Sequence, residues 1–328
     1  MANNISRRDA IKLMGAATVA ALGGFGITAC KPQHQEASSN KPANIDAPGQ
    51  ANENAVQTND NTAKPERAKR LVFYFTGTGN CLYVARQLSE NTISIPQAMF
   101  HNQLSYDAEE IGFVYPVYGM MPPNMVRQFI QKAKLKADYF FAVATYGNKQ
   151  GNAVNIWNDI AKAAGYSFDY IATLLMVDNW LPVFDMDEQK KMDKNIPQNL
   201  EKIKTSLQNR EKYIETVSEE DIERWNKRKE ANSGPFRGDG IHALAEEWFT
   251  VTDACIACGI CTRLCPKKNY SMSAEKAVPK GECELCLACI QNCPHKAIII
   301  TSGEKNPQAR YRHEAIMLRD IQRANSQI

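Results

Sequence analysis

Between Leu71 and Val177 short, mainly apolar runs alternate with amphipathic stretches. The runs Leu71–Phe75, Ile93–Ile95, Ile111–Pro116, Phe140–Thr145 and Ile171–Val177 show little polar alternation, Ser94 apart, so they predict strands buried on both faces. Asn80–Ser89, Pro123–Leu135 and Asn152–Ala163 carry helical periodicity between them. Apolar strands separated by helices predict a parallel α/β sheet covered on both sides over residues 69–186. From Asp187 to Glu230 the pattern turns charged and helical, which predicts a helical connector over 187–239 that closes the sheet. A last domain then occupies 240–328 and ends in a helix near His313–Ala324. Residues 30–68 have almost no large apolar side chain, so they predict a disordered tether. A flexible chain of that length spans roughly 35 Å root-mean-square.

The N-terminus adds an address. Ser6-Arg7-Arg8-Asp9-Ala10-Ile11-Lys12 precedes an apolar stretch from Leu13 to Ala29 and resembles a twin-arginine export signal over residues 1–29. Ile27-Thr28-Ala29-Cys30 resembles a bacterial lipobox, with Cys30 as the lipid-bearing residue. A plain N-terminal membrane anchor is the alternative, although the stretch is short and rich in Ala and Gly for a span of about 20 residues. The twin-arginine route carries folded proteins, so the resemblance implies export in the folded state. The chain would then be lipid-anchored on the outer side of the cytoplasmic membrane or in the periplasm.

Charge is almost balanced, with 39 basic against 36 acidic side chains. Residues 1–29 carry only Arg7, Arg8, Asp9 and Lys12, so a processed chain stays near neutral. Nothing in that balance points to nucleic acid.

Of the ten cysteines, eight form one pattern spelled twice. Cys255-x2-Cys258-x2-Cys261-x3-Cys265-Pro266 is followed by Cys283-x2-Cys286-x2-Cys289-x3-Cys293-Pro294. Thiolates are the soft ligands that iron–sulfur clusters take. A zinc site would use CxxC…CxxC without the two Cys-Pro ends. Disulfides fit so tight a spacing poorly. The doubled run resembles the ligand run of two-cluster bacterial ferredoxins, in which the fourth cysteine of each run serves the other cluster. The resemblance implies two [4Fe–4S] clusters. One would be held by Cys255, Cys258, Cys261 and Cys293, and the other by Cys265, Cys283, Cys286 and Cys289.

Directly after the first strand comes Thr76-Gly77-Thr78-Gly79-Asn80-Cys81, opening a helix. Glycines let backbone curl around an anion, while hydroxyls and helix N-terminal amides supply donors to a phosphate. The stretch lacks the Lys of a nucleotide P-loop and the GxGxxG spacing of a dinucleotide site. An ordinary tight βα turn is the alternative reading. Two later loops, 116–123 with Tyr118-Gly119 and 145–152 with Tyr146-Gly147, sit at strand C-terminal ends, where open α/β sheets bind ligands. Either tyrosine also reads as a half-buried surface aromatic. Asn179-Trp180, after the fifth strand, borders the same crevice or serves the core. His242, His295 and His313 are isolated and read as surface or packing residues.

Together residues 69–328 resemble the flavodoxin–ferredoxin fusion proteins of anaerobic bacteria. The resemblance implies a flavodoxin-like doubly wound sheet binding FMN, followed by a small α+β two-[4Fe–4S] ferredoxin domain. It places Thr76, Gly77, Thr78, Gly79, Asn80 and Cys81 at the FMN phosphate, and Tyr118, Gly119, Tyr146 and Gly147 at the isoalloxazine ring. Cys81 stands where flavodoxins carry Thr or Ser, and a thiol is a weak donor. It is either a passive small residue or a low-pKa thiol at a helix start. The implied function is a membrane-tethered relay that moves electrons between FMN and the clusters and exchanges them with a redox protein. Two alternatives stand beside it: a flavin-dependent reductase of a small extracytoplasmic substrate, and a ferredoxin with a flavin-free docking domain.

Overall fold

The apolar runs pair side by side into one parallel sheet. In the computed structural model the described residues are 67–325, which lie in the unit Thr62–Ile328. The export signal, Cys30 and the tether up to residue 66 lie outside the described residues. The strands are β1 (Ala68–Tyr74), β2 (Thr92–Ser94), β3 (Ser105–Pro116), β4 (Lys134–Lys136), β5 (Tyr139–Tyr146), β6 (Tyr170–Leu175) and β7 (Tyr213–Ile214). Their order is β2-β1-β3-β5-β6-β7, with β4 extending β3, and every pairing is parallel. With short β4 and β7 set aside, the second, first, third, fourth and fifth strands lie in that order. This is the flavodoxin-like form of the doubly wound sheet.

Helices α1 (Asn80–Leu88), α2 (Ile95–Phe100), α3 (Asn124–Lys132), α4 (Ala153–Ala163), α5 (Met186–Lys191), α6 (Ile196–Gln208) and α7 (Glu219–Ala231) follow in the chain. Ile111, Phe113, Val114 and Tyr115 of β3 have no exposed surface, as expected of a central strand covered on both faces. Phe73, Phe113, Phe129, Trp157 and Phe168 form a chain of tilted and edge-on ring contacts through that core.

Two predicted elements end early for local reasons. Ser94 accepts a hydrogen bond from the Gln97 amide and Pro96 sits in the first turn, so Ile95 opens α2 instead of closing β2. The predicted helix Pro123–Leu135 stops at Lys132, and Lys134-Leu135-Lys136 alternates as a strand beside β3. The segment after Asp187 is woven into the sheet: α6 buries Leu200, Ile203 and Leu207, and β7 pairs with β6. Arg210, just past α6, shares the buried carboxylate of Glu110 with Arg70.

The cysteine-rich half holds the hairpin β8 (Phe236–Arg237) and β9 (Gly240–Ile241), then α8 (Ala245–Trp248), β10 (Phe249–Val251) and α9 (Ile260–Leu264). After these come β11 (Tyr270–Met272), β12 (Ala277–Pro279), α10 (Ala288–Gln291), β13 (Ile298–Ile300) and α11 (Leu318–Asn325). The 28-residue step from Cys255 to Cys283 also carries β10 onto β12, the start of α9 onto α10, and β11 onto β13. β10 pairs with β13 and β11 with β12, both antiparallel, so each repeat lends a strand to the other. Helix α11 then returns to the parallel sheet, where Asp320 pairs with Arg86 at 3.1 Å and the Ser94 hydroxyl donates to the Ala324 carbonyl. Among the described residues no helix is long and apolar enough to cross a membrane.

Candidate functional site: a loop-lined cavity beside two cysteine sets

The loop leaving β1 is held so that its donors face a cavity. Gly79 adopts a left-handed conformation (φ 101°) and starts α1, whose first-turn amides have no partner within the helix. The Thr76 hydroxyl oxygen accepts from the Gly79 amide at 3.1 Å, and the Thr78 hydroxyl oxygen accepts from Asn179 Nδ2 at 2.8 Å. Each hydroxyl therefore keeps its own proton for a further acceptor. Thr76 and Thr78 are only 1% and 2% exposed, so that acceptor is met inside the cavity. Orphan amides at a helix N-terminus plus two free hydroxyl protons make an anion cradle, and these residues fit a phosphate.

The cavity has a volume of about 450 Å3, within the usual range for small-molecule sites. Thr76, Gly77, Thr78, Asn80, Cys81, Tyr118, Gly119, Tyr146 and Gly147 all line it. Gly79 does not: its α-carbon faces Ile316 and His313 on the other side of the loop. Asn80 offers the cavity chiefly backbone. Its Nδ2 donates to the Val177 carbonyl at 3.0 Å, and its Oδ1 accepts from the Tyr311 hydroxyl at 2.6 Å. Cys81 is buried against Thr145, with sulfur and hydroxyl 3.1 Å apart, and burial pushes its thiol up to about 12. It is a passive neutral side chain, not a reactive thiolate.

Tyr118 meets Phe75 edge-on at 6.4 Å, and its phenol is pushed up by burial and then by Cys286 and Cys81. Gly119 (φ 57°) is covered by Phe236, which stands where a Cβ would be. Tyr146 touches the cavity, while its hydroxyl is drawn away to Thr173. Gly147 packs on Asp178, whose carboxyl is raised by burial and accepts from the Trp180 amide at 2.8 Å. The far wall comes from elsewhere in the chain: Trp180, Phe184, Arg228, Phe236, Trp248 and Leu285. Trp180 meets Phe236 and Trp248 with ring centroids 5.6 and 6.0 Å apart. No local signal in the sequence marks Arg228, Phe236, Trp248 or Leu285.

The eight repeated cysteines fall into two sets of four, each around its own small cavity. Cys255, Cys258, Cys261 and Cys293 line one, and Cys265, Cys283, Cys286 and Cys289 line the other. Electrostatics largely follow the same partition, with Cys289 also raised by Cys261 of the other set. The Cys261 thiol is pushed up to about 11 by burial and then by Cys255, Cys258 and Cys293. Cys286 is pushed well up by burial and then by Cys265, Cys283 and Cys289. Left-handed residues at Ala257, Gly259 and Lys268 recur at Leu285, Leu287 and Lys296, the same 28 residues on. Such alternating backbone turns amides toward an anion. The amides of Asn269, Leu285 and Ala297 each donate to a cysteine sulfur at 3.3 Å, on Cys265, Cys283 and Cys293.

Among the described residues no group of three or more His, Cys, Asp or Glu is gathered to hold a metal ion. Two soft four-sulfur sets with amides aimed at their sulfurs fit larger sulfur-bridged clusters by the chemistry of the donors.

The two kinds of site touch. A Cβ on Gly77 would lie 2.1 Å from the Cys286 carbonyl oxygen, so the phosphate-type loop and a cysteine loop meet backbone to backbone. Glu284, 2% exposed, reaches across from between Cys283 and Leu285. It accepts the amides of Asn124 and Met125 at 2.9 and 3.0 Å, capping α3, and burial pushes its carboxyl up to about 7. The tail adds a third tie: His313 donates its amide to the Thr78 carbonyl at 2.9 Å and stacks on Tyr83, and Asn325 Nδ2 donates to the Thr76 carbonyl at 3.0 Å. His313 is thus a packing residue. His242 pairs with Asp239 on the surface, and His295 is exposed beside the Cys255 set.

No family model and no curated protein matches the chain. Among solved structures, the two-electron reduced flavodoxin of Megasphaera elsdenii is 15% identical, with 32% of this chain and 84% of that chain covered and a TM-score of 0.26. A Lactobacillus acidophilus flavoprotein in complex with FMN is 12% identical (32% and 93% covered, TM-score 0.23). The rubredoxin:oxygen oxidoreductase of Desulfovibrio gigas is 17% identical (43% and 38% covered, TM-score 0.26). The flavodoxin-like class of the sheet rests on its own strand order.

Proposed function

We propose that this chain is an electron-transfer protein that joins a flavin to two [4Fe–4S] clusters, tethered to a membrane through Cys30 after export. The observation that carries the reading is the backbone contact between Gly77 and Cys286, which sets the anion cradle against a cysteine loop. FMN exchanges one or two electrons and each cubane one, so together they adapt one-electron partners to two-electron ones.

The chain's own part is binding and spacing. Thr76, Thr78 and the amides opening α1 hold the phosphate, with Asn179 orienting the Thr78 hydroxyl. Tyr118 and the loop at Gly147 flank the ring space, and Trp180 walls it. Cys265, Cys283, Cys286 and Cys289 ligate the inner cluster, and Leu285, in the loop between Cys283 and Cys286, lines the flavin cavity. Cys255, Cys258, Cys261 and Cys293 ligate the outer one, near Ile256, which is 60% exposed. A redox partner meets the molecule there.

A second reading has its own observation. Arg228 lines the aromatic side of the cavity and takes part in no salt bridge among the described residues, which suits a small anionic substrate reduced at the flavin. The test is flavin, iron and sulfide per chain on full-length protein purified without oxygen. One FMN and two cubanes per chain support the relay. Two cubanes without flavin, even after FMN is added, would leave a ferredoxin with a docking domain. Turnover of an anionic acceptor that is lost in Arg228→Gln would favour the reductase.

A further inference from the structure

The repeat allows the surroundings of the two cysteine sets to be compared position by position. Asn269 and Ala297 are equivalent across the 28-residue step, and each gives its amide to the preceding fourth cysteine at 3.3 Å. The next position breaks the equivalence. Tyr270 opens β11 and Ile298 opens β13, and both are buried. The Tyr270 hydroxyl donates to Cys289 Sγ at 3.4 Å, whereas Ile298 has nothing to donate to Cys261. A buried hydroxyl is costly unless it is bonded, and a phenol carries its proton at neutral pH and so serves here as a donor.

We propose that the Tyr270 hydroxyl raises the reduction potential of the inner cluster, held by Cys265, Cys283, Cys286 and Cys289, relative to the outer one. The inference rests on the two-cluster reading above. Sulfur ligands carry more negative charge when their cluster is reduced, so a donor aimed at one of them bonds the reduced form more strongly. Only the inner set receives a side-chain donor of this kind among the described hydrogen bonds. The inner set also adjoins the cavity through Gly77, so the bias favours one-electron steps from the surface inward. No proton or bond changes place in that step; the outer cluster is oxidised as the inner one is reduced, and the external donor is a one-electron redox protein.

The test is a redox titration of full-length holoprotein followed by electron paramagnetic resonance, wild type against Tyr270→Phe, with iron and sulfide counted in both. At unchanged iron content, one of the two couples moves to lower potential and the other stays. Two unmoved couples, or equal shifts in both, overturn the proposal. If Tyr270→Phe does not retain iron, 3-fluorotyrosine at position 270 replaces it. Its more acidic phenol is expected to move the same single couple upward, and no shift overturns the proposal. A wild-type protein without iron would instead refute the two-cluster reading, and this inference falls with it.

Discussion

Gly77→Ala is the most discriminating single change in the molecule. The φ of Gly77 lies outside the left-handed range, so alanine meets no backbone penalty there, and in open space it would stabilise by about 0.4–1 kcal/mol through the unfolded chain. The structure predicts the opposite sign. The new methyl would stand 2.1 Å from the Cys286 carbonyl oxygen and 3.1 Å from its carbon. An ordinary carbon–oxygen contact needs about 3.3 Å, so one loop must retreat by about 1.2 Å.

Neither loop is free to do so. Thr76 and Thr78 are tied through their carbonyls to Asn325 and His313, and Cys286 sits between left-handed Leu285 and Leu287. Overpacking typically costs about 1–3 kcal/mol, and a contact between two pinned backbones belongs at the upper end. At about 2–4 °C per kcal/mol for a chain of this size, the melting temperature should fall by about 5–10 °C. Calorimetry on the purified protein reads the shift, and on the relay proposed above rapid-mixing kinetics should show slower electron exchange between flavin and clusters. An unchanged or raised melting temperature would refute the contact and with it the route through Gly77.

Thr78→Val removes a hydroxyl whose proton faces the cavity, and FMN affinity should drop about tenfold, the worth of one lost hydrogen bond of ~1.4 kcal/mol; fluorescence titration of the apoprotein measures it, and unchanged affinity would place the phosphate elsewhere. Glu284→Ala leaves the Asn124 and Met125 amides without their carboxylate and should cost about 2 kcal/mol, with Glu284→Gln recovering part of it, as read by denaturant unfolding. Asp320, hydrogen-bonded by Arg86, is held below the usual carboxylate range. A depressed carboxyl contributes stability above its unfolded pKa of about 3.9 and loses it as pH falls through the lower folded value. The pair is partly exposed, so the contribution is under about 1 kcal/mol. Asp320→Asn should therefore flatten a small part of the stability loss between pH 5 and 3 (about one unit either side of that pKa); an identical profile would remove the pair from the account.

Much of the architecture was legible along the chain. Runs such as Leu71–Phe75 and Ile111–Pro116 announce buried parallel strands because a strand covered on both faces has no use for polar alternation. The doubled cysteine spacing shows which sulfurs belong to one loop, since three close cysteines have little freedom to face apart. The three loops at strand ends are legible for the same kind of reason: glycine and hydroxyl residues between apolar runs turn the chain where the sheet ends. Ser94-Ile95-Pro96 was misleading because an apolar pair reads alike as strand or helix start, and the cap decided it.

What tertiary structure decided lies at long range. Nothing near Thr78 in sequence tells that Asn179 turns its hydroxyl, nor near Asn80 that Tyr311 occupies its carboxamide. The far wall of Phe236, Trp248, Arg228 and Leu285, and the meeting of Gly77 with Cys286, join segments that only the packing of the two halves brings together. Periodicity is written by sterics between neighbours in the chain. Contacts between distant segments depend on the whole fold, and leave no mark in the local pattern of the residues that make them.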